Sequence, residues 1–554
     1  MSPGAPTDPS PVPDHAAQYF VRMRDGAHLA TDVYLPPNEA EPVQAVLVRL
    51  PYDKNSRYVF MEAVARRLTA RGYALVVQDV RGKYRSDGEP IGPLTEVNDG
   101  YDTIDWIAAQ CWCDGRVGMF GDSYYGFTQW AALSSGHPAL RAIVPRMTST
   151  DIPRFAHVEH GGVIDVPWLQ FVKYIAQCWT GPYLHEAEPD WSRAPLTDVF
   201  DSYFDDRGER SLWYDLMVPV ALPVPVYHNG HPHQARPVPT LHCVGWFDNV
   251  ANLSMRDYTA LTARPTVAPF HYLHAEATDH ENYHLQDVPI GPERDHNTDD
   301  IALERMLDGY LGPALKFFDV FLKETADPSS FPRVQWRLGH ADLRESVSWP
   351  PPGSRTRTLY LTELARAQDG GGTLTDDAPA HGQVCEWRYD PENLVRSTSV
   401  NSFALLFENP DEAGLSEHPD VLGFATEPVT DPVDLAGPVD LYVRVSSSAP
   451  TTDIYAKLCD RAPDGTLRQI VRGQGILRTP GEDEPARIEM GHTGYRLRPG
   501  HSLHLLISSS DYPEFPPNPG TDENRWTARE RVGSRQVLHT DGPRPSHLTV
   551  TVLP

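Results

Sequence analysis

The first 150 residues alternate between short apolar runs and helical patterns, and this rhythm constrains the fold more than any other feature. The apolar runs are 45–50, 73–80, 116–120 and 141–145. Strands that are buried on both faces read as near-continuous apolar runs, and parallel strands need helical connections between them. The sequence therefore predicts a mostly parallel sheet that helices cover on both faces.

The rhythm stops near residue 150 and resumes with a strand-like run at 239–248. Residues 150–231 carry aromatic segments with helical periodicity and no clear strands, and 301–325 is typical of a closing amphipathic helix. We therefore predict one sheet domain formed by 16–149 and 232–345. The intervening segment is predicted to be a helical insertion that caps the site.

The two ends of the chain differ from this middle part. Beyond residue 346, short β-rich runs such as V-D-L-Y-V-R-V-S-S-S recur between Pro, Gly and Asp turns. Residues 346–554 are therefore predicted to form an all-β sandwich or jelly roll. Residues 1–15 are proline-rich and lack a basic segment followed by an apolar core, so we expect a flexible tail and not a signal peptide.

The charge and composition of the chain limit its partners. Its 48 basic and 75 acidic residues give a formal net charge of −27, which opposes non-specific binding to nucleic acid or anionic membranes. No run approaches the roughly 18 apolar residues of a membrane span. The six cysteines do not form a disulfide framework, and Cys111 and Cys113 lack a second ligand pair for a metal. We expect a cytoplasmic protein.

The segment V-G-M-F-G-D-S-Y-Y-G-F-T at 117–128 raises a hypothesis about chemistry. Ser123 follows a predicted strand and opens a predicted helix, as the nucleophilic serine of α/β-hydrolases does. In the usual G-x-S-x-G pattern, however, the second glycine comes one residue earlier than Gly126. From Gly121 and Ser123 alone, an ordinary glycine turn remains an alternative.

A nucleophilic serine needs a base and an acid that orients the base, in the chain order Ser, Asp or Glu, His. Asp248 ends the strand at 239–248, at the sheet edge where α/β sites form, although it could also be a turn residue. His280 follows the next predicted strand, so the order Ser123, Asp248, His280 fits. His284 is the alternative base, and Glu281 could be a turn residue or could tune His280.

An acyl transfer site also needs two donors for the oxyanion. The backbone N–H of the residue after the nucleophile, here Tyr124, supplies one of them. The second should come from the loop at 49–55, which lacks an H-G-G-G run. That loop contains Tyr52, but the residues alone favour a packed or surface tyrosine there.

Several motifs, taken together in their order along the chain, point to one protein family more specifically than any single motif does. The motifs are R-L-P-Y-D-K (49–54), Q-D-V-R-G-K-Y-R-S-D-G-E (78–89), G-D-S-Y-Y-G (121–126), V-G-W-F-D-N (244–249), L-L-F-E-N-P-D (405–411) and H-P-D-V-L-G-F-A-T-E-P-V (418–429). From about residue 16 onward, the chain resembles the bacterial cocaine esterase family. That group also contains α-amino-acid ester hydrolases, some cephalosporin acylases and X-Pro dipeptidyl-peptidases.

The resemblance implies a fold and a set of site residues. The implied fold is an α/β-hydrolase domain with a helical cap and a C-terminal jelly roll of the galactose-binding type. The family's elbow is G-x-S-Y-x-G, so G-D-S-Y-Y-G conforms and the nucleophile falls on Ser123. The acid falls on Asp248, and the oxyanion donors fall on the Tyr124 N–H and the Tyr52 hydroxyl.

One motif departs from the family pattern. The family usually places its histidine in a G-P-W-x-H segment, whereas L-H-A-E-A-T-D-H-E-N-Y at 273–283 lacks the Gly-Pro-Trp. His280 remains the best match to the family's histidine. The geometry of this loop is therefore an open question for the structure.

The resemblance also implies a substrate pocket where hydrolase domain, cap and jelly roll meet. Trp246, Leu406 and Phe407, with Trp168 from the cap, are the candidate pocket residues, and each could instead be interface core. They favour a small ester or amide with an apolar or aromatic acyl group. The sequence shows no acidic cluster for a substrate ammonium group, which counts against amino-ester or dipeptidyl-peptidase activity. A homodimer is expected by analogy only.

These observations predict a serine hydrolase that forms an acyl-enzyme and requires no metal or cofactor. One alternative is an acyltransferase in which an amine, an alcohol or an internal nucleophile intercepts the same intermediate. Another is a peptidase of the X-Pro dipeptidyl type. A carbohydrate-binding protein with an inert triad is the non-enzymatic alternative.

Overall fold

In the described part of the chain, two large β-sheets of ten and eleven strands organise the fold. The computed structural model describes residues 8–37, 41–152, 159–160, 163–164, 166, 168–181, 188–219, 222, 225–285, 290–399, 410–478, 485–542 and 544–554. Among these residues, no helix is both long enough and apolar enough to span a bilayer.

The first sheet begins with the alternating segments of the N-terminal part. Their strands and helices are β1 (Ala17–Arg22), β2 (His28–Tyr34), β3 (Val43–Leu50), α1 (Met61–Thr69), β4 (Ala74–Asp79), α2 (Glu96–Ala108), β5 (Cys113–Asp122), α3 (Ser123–Ser135) and β6 (Leu140–Arg146). Every residue of β3 and β4 is buried, as their apolar runs predict. The β1 and β2 strands form an antiparallel hairpin.

An insertion follows β6. Its elements are β7 (Glu159–His160), β8 (Val163–Ile164), α4 (Leu169–Trp179), α5 (Leu196–Arg207) and α6 (Leu212–Met217). The prediction of a segment without strands missed the β7–β8 hairpin, because two residues per strand are too few to show an alternating pattern. One face of α4 packs in a cluster with Tyr124 and Phe127 of α3, so the insertion covers the start of that helix.

The chain then returns to the first sheet. The remaining elements of this part are β9 (Thr240–Gly245), α7 (Ala251–Thr262), β10 (His271–Glu276), α8 (Asp300–Phe321), β11 (Val334–Arg337) and β12 (Leu343–Ser346). The strand order is β1-β2-β4-β3-β5-β6-β9-β10-β11-β12, and every neighbouring pair from β4 to β11 is parallel. The carboxyl ends of β5, β9 and β10 therefore meet at one edge of the sheet.

Each face of this sheet has its own apolar core. Val46 and Val48 of β3 pack with α1 and α8, while Ala45 and Leu47 of the same strand pack with α2 and α3. Side chains that alternate along a strand point to opposite faces, so the run at 45–50 supplies both cores at once. The predicted parallel sheet with helices on both faces is therefore confirmed.

The second sheet contains the C-terminal strands. These are β13 (Arg355–Thr362), β14 (Gly372–Thr375), β15 (Val384–Tyr389), β16 (Val421–Ala425), β17 (Val433–Ser447), β18 (Thr451–Arg461), β19 (Leu467–Arg478), β20 (Ala486–Leu497), β21 (Ser502–Ser508), β22 (Ser534–His539) and β23 (His547–Val552). All pairs except β14 with β16 are antiparallel. Val244, Trp246 and Phe247, at the end of β9, share one apolar core with this sheet.

Candidate active site

Ser123 lies on the sharp turn between β5 and α3. Its φ is 48°, in the left-handed region where a residue other than glycine is strained. A side chain at Gly121, whose φ is 146°, would overlap the ring of Tyr125. A Cβ at Gly126 would come within 2.5 Å of Thr148 Cγ2. Both glycines are therefore steric requirements of the turn, and the late second glycine makes room for Thr148.

Asp248 and His280 meet beyond the ends of β9 and β10. Asp248 Oδ1 lies 2.6 Å from His280 Nδ1 and also accepts the Val250 N–H at 3.1 Å. Burial acts to lower the pKa of His280, but Asp248, followed by Glu281 and Asp122, outweighs it and raises that pKa to about 9. The contact directs Nδ1 toward the acid, which leaves Nε2 for a nucleophile.

Side-chain hydrogen bonds shape the loop that carries His280. Asp279 Oδ1 accepts the backbone N–H groups of Glu281 at 3.0 Å and Tyr283 at 2.9 Å. Thr278 and His284 form an isolated antiparallel bridge across the base of the loop. Asp248 is thus paired with the first of the two candidate bases, and His284 is exposed.

A buried ion pair ties this loop to the serine turn. Arg146, at the end of β6, donates from Nε to Asp122 Oδ1 at 2.8 Å and from Nη2 to Asn282 Oδ1 at 3.0 Å. Asn282 Nδ2 donates back to Asp122 Oδ2 at 3.2 Å. The guanidinium also stacks over the Tyr310 ring at 4.3 Å. Arg146 therefore holds both Asp122, which directly precedes Ser123, and Asn282, which lies two residues after His280.

Tyr52 places its hydroxyl at the serine. It follows β3 and is 5 % exposed, and its hydroxyl is within hydrogen-bonding reach of Ser123. The same hydroxyl contacts that of Tyr174 on α4 of the insertion. Burial raises the pKa of Tyr52, so the phenol keeps its proton and can donate a hydrogen bond.

Tyr124 is held by its side chain so that its backbone N–H lies at the start of α3. The Tyr124 hydroxyl donates to Glu96 Oε1 at 2.8 Å, and Glu96 Oε2 accepts from Arg49 Nη1 at 2.5 Å. All three side chains are buried. This chain of contacts fixes the first turn of α3, where unpaired N–H groups favour negative charge.

A cavity opens beside the serine. Ser123 and His280 both line it, together with Tyr52, Tyr58, Phe60, Asp122, Tyr125, Glu281, Asn282, His296 and Asn297. The described lining of this cavity thus contains aromatic rings together with carboxylate, imidazole and amide groups. It holds neither lysine nor arginine.

The two tryptophans predicted for the substrate pocket lie in a different cavity. Trp168 and Trp246 line a space between the insertion, β9–α7 and the second sheet, and Asp248 borders it as well. Trp246 stacks on Trp349 at 4.8 Å, and Trp168 packs against Phe515 at 5.7 Å. Both ring contacts are of the kind that core residues make at an interface. Leu406 and Phe407 lie outside the described residues.

Several residues of the site were not found by the sequence reasoning. Tyr174 contacts Tyr52, Glu96 contacts Tyr124, and Arg146 contacts Asn282 of the histidine loop. In each pair the two partners come from elements that are distant in sequence, so no local motif marks the contact. Glu281 was noted only as a neighbour of the base. Its position beside His280 was the one available signal that it faces the cavity.

Comparison with protein families identifies both halves of the chain. Residues 25–282 match the X-Pro dipeptidyl-peptidase (S15 family) model, and residues 326–549 match the X-Pro dipeptidyl-peptidase C-terminal non-catalytic domain. Cocaine esterase of Rhodococcus sp. (strain MB1 Bresler) is 31% identical over 97% of this chain and 98% of its own length. A putative serine esterase of Mycobacterium bovis is 23% identical and covers 94% of each chain.

Solved structures show the same fold. An α-amino acid ester hydrolase superposes with a TM-score of 0.76 at 22% identity, covering 97% of this chain and 96% of that one. An aminopeptidase from a marine sediment archaeon of the Thaumarchaeota superposes with a TM-score of 0.77 at 22% identity, covering 99% of both chains. The predicted α/β-hydrolase fold with a C-terminal all-β domain is confirmed. The chain belongs to the cocaine esterase-like serine hydrolases of the X-Pro dipeptidyl-peptidase (S15) family.

Proposed function

We propose that this chain hydrolyses small carboxylic esters through an acyl-enzyme on Ser123, with Asp248 and His280 completing the triad. The observation that carries the proposal is the 2.6 Å contact between His280 and Asp248 beside a cavity that Ser123 also lines. A serine hydroxyl becomes a useful nucleophile only when an oriented base can remove its proton.

In the first half of the reaction, Ser123 Oγ attacks the ester carbonyl while His280 Nε2 takes the hydroxyl proton. Asp248 keeps the imidazole in place and stabilises the imidazolium. The negative charge that develops on the carbonyl oxygen is held by the Tyr124 N–H and the Tyr52 hydroxyl. A neutral phenol suits this task because it donates a hydrogen bond without adding charge to the resting site.

His280 then gives its proton to the leaving alcohol as the C–O bond of the ester breaks, and the acyl group stays on Ser123, which completes the first half. Water then takes the place of the alcohol, and His280 removes a proton from it as it attacks the acyl carbonyl. The same two donors stabilise the second oxyanion. Collapse of this intermediate releases the carboxylic acid and restores the serine hydroxyl.

The walls of the cavity support an apolar or aromatic acyl group. Tyr52, Tyr58, Phe60 and Tyr125 contribute rings to it, and its described lining has no lysine or arginine to pair with an anionic substrate. Buried anions need a partner, so acyl groups that carry a carboxylate are disfavoured.

The test is labelling of the purified protein with a fluorophosphonate, followed by peptide mapping by mass spectrometry. The proposal predicts a single adduct on Ser123, turnover of p-nitrophenyl or benzoyl esters, and loss of both in Ser123→Ala. If Ser123→Ala retains the ester turnover of the unmodified protein, Ser123 is not the nucleophile and the proposal fails.

A further inference from the structure

Tyr174 of the insertion is connected to the serine through Tyr52. Its hydroxyl contacts the Tyr52 hydroxyl, which is itself within hydrogen-bonding reach of Ser123. One turn further along α4, the buried thiol of Cys178 is within hydrogen-bonding reach of the Tyr174 hydroxyl. Cys178, Tyr174 and Tyr52 therefore form a line of hydrogen-bonding groups that ends at the serine.

The number of protons decides the direction of the hydrogen bond between the two tyrosines. A phenol carries one proton and donates one hydrogen bond, while its oxygen can accept others. If Tyr52 donates to the oxyanion, it can meet Tyr174 only as an acceptor, so Tyr174 has to be the donor. The Tyr174 oxygen can in turn accept a hydrogen bond from the Cys178 thiol.

All three groups keep their protons at neutral pH. Burial raises the pKa of both the Tyr52 and the Tyr174 phenols, and it raises the pKa of the Cys178 thiol to about 11. The line therefore consists of neutral donors. Hydrogen bonds in such a chain polarise one another, so a donor to the Tyr52 oxygen strengthens the hydrogen bond that Tyr52 itself donates.

Both ends of α4 are tied to other parts of the molecule. At its first residue, the Leu169 N–H donates to the carbonyl of Glu514, in the C-terminal part of the chain, at 2.7 Å. Just beyond its last residue, the buried Lys83 donates from Nζ to the Gly181 carbonyl at 2.6 Å. Tyr174 lies between these two anchors, so its position is set before a substrate arrives, as preorganised stabilisation of charge requires.

We infer that Tyr174 is a positioning residue of the oxyanion site, an inference that rests on the proposed esterase function. Tyr174 donates to the Tyr52 oxygen and thereby directs the single proton of Tyr52 toward the negative charge that develops on the substrate. The insertion then contributes to transition-state stabilisation without touching the reacting atoms.

The experiment is a double-mutant cycle on one p-nitrophenyl ester, with Tyr52→Phe, Tyr174→Phe and the double variant. We expect Tyr174→Phe to lower kcat by about tenfold, the size of one hydrogen bond, with little change in KM. In the Tyr52→Phe background, the same substitution should change kcat by less than about twofold, because Tyr174 acts only through the Tyr52 hydroxyl.

Tyr214→Phe is the matched control. Tyr214 lies on α6 and shares an apolar cluster with α4, and its buried hydroxyl has no hydrogen-bonding partner among the described residues. This variant should keep the kcat and KM of the unmodified protein. An equal fall of kcat on Tyr174→Phe in both backgrounds would mean that Tyr174 only supports the fold of the insertion, and this overturns the inference. A kcat of Tyr174→Phe at or above that of the unmodified protein overturns it as well.

Inhibitor binding gives a second measurement that a purely structural role would not move. Phenylboronic acid forms an anionic tetrahedral adduct with a nucleophilic serine, whereas benzamide binds as a neutral ground-state analogue. Tyr174→Phe should raise the Ki of phenylboronic acid by about tenfold and leave the Ki of benzamide unchanged. Equal rises of both Ki values contradict the inference.

Labelling of Ser123 by a fluorophosphonate separates failure of the inference from failure of the proposed function. If the unmodified protein is labelled at Ser123 and hydrolyses the ester while Tyr174→Phe keeps its full kcat, the inference alone fails. If the unmodified protein is neither labelled nor active, the proposed function fails and the inference fails with it.

Discussion

The serine turn and the histidine loop face the same cavity but are stabilised in different ways. The turn is fixed by steric fit, since Gly121 and Gly126 leave no room for side chains and Ser123 adopts a left-handed φ. The histidine loop is fixed by polar contacts from Asp279 and Asn282. Steric requirements leave a local sequence signature, whereas a hydrogen-bonded loop can use partners from anywhere in the chain.

Variants of the proposed triad should give the largest effect, and they separate the two candidate bases. His280→Ala should lower kcat by roughly 10⁴- to 10⁶-fold, nearly as much as Ser123→Ala, because triad members act as a unit. His284→Ala should stay close to the unmodified protein, since His284 is exposed and outside the cavity lining. Steady-state kinetics on one ester compare the three variants. An inactive His284→Ala beside an active His280→Ala would refute the assignment of the base.

The proposed oxyanion donor after β3, Tyr52, should give the next largest effect. Tyr52→Phe keeps the ring and removes only the hydroxyl, so we expect kcat to fall by roughly 10² to 10³ with little change in KM. Tyr174→Phe is the comparison variant, because Tyr174 contacts the Tyr52 hydroxyl from the insertion and should lower kcat less than Tyr52→Phe. Equal kcat values for Tyr52→Phe and the unmodified protein would remove Tyr52 from the oxyanion site.

The steric fit of the serine turn is tested through the free energy of unfolding. Gly126→Ala forces a methyl group against Thr148, and we expect the free energy of unfolding to fall by roughly 1–3 kcal/mol. Gly309→Ala is the control, because a Cβ there meets no atom within 4 Å and alanine favours the helix. Denaturant unfolding measures both variants. A Gly126→Ala protein as stable as the control would show that the turn tolerates a side chain.

The polar contacts of the histidine loop are tested through kcat. Asn282→Gly deletes the contacts to Arg146 and Asp122 without straining the backbone, because glycine accepts the φ of 66° at this position. We expect kcat to fall by about tenfold, as for one misplaced catalytic group, while the melting temperature changes little. A large loss of melting temperature with unchanged kcat would assign Asn282 to folding alone.

The smallest effect is on the pH dependence. His280 must be deprotonated to act as a base, and its pKa is about 9, so kcat/KM should rise with pH and level off above that value. Glu281→Gln removes one of the negative charges that raise this pKa and should move the rise to lower pH. A pH profile of the unmodified protein that is flat between pH 7 and 10 would contradict the assignment.

The sequence predicted more of the sheet than of the site. The apolar run at 45–50 specified a buried strand because both of its faces are covered, and the strand ends then placed Ser123, Asp248 and His280 at one edge. The role of Trp246 stays a prediction, because an interface tryptophan and a pocket tryptophan have the same local sequence. Here it stacks on Trp349 between the two sheets.

The contacts that hold the histidine loop could not be predicted from the sequence. Arg146 comes from β6 and Asn282 from beyond β10, and only the folded sheet brings them to Asp122. The loop also lacks the Gly-Pro-Trp of its relatives, so the family pattern gave no guidance on what holds it. Polar partners that are far apart in sequence have no fixed spacing, so no sequence motif predicts their contact.

The most direct measurement is the capture of the acyl-enzyme itself. The protein is mixed with a p-nitrophenyl ester, quenched in acid within the burst phase, digested and analysed by mass spectrometry. We predict that the peptide containing Ser123 gains the mass of the acyl group and that the burst of p-nitrophenol matches the enzyme concentration. Sustained turnover with the acyl group on another residue, or with no acylated peptide and no burst under these conditions, would contradict it.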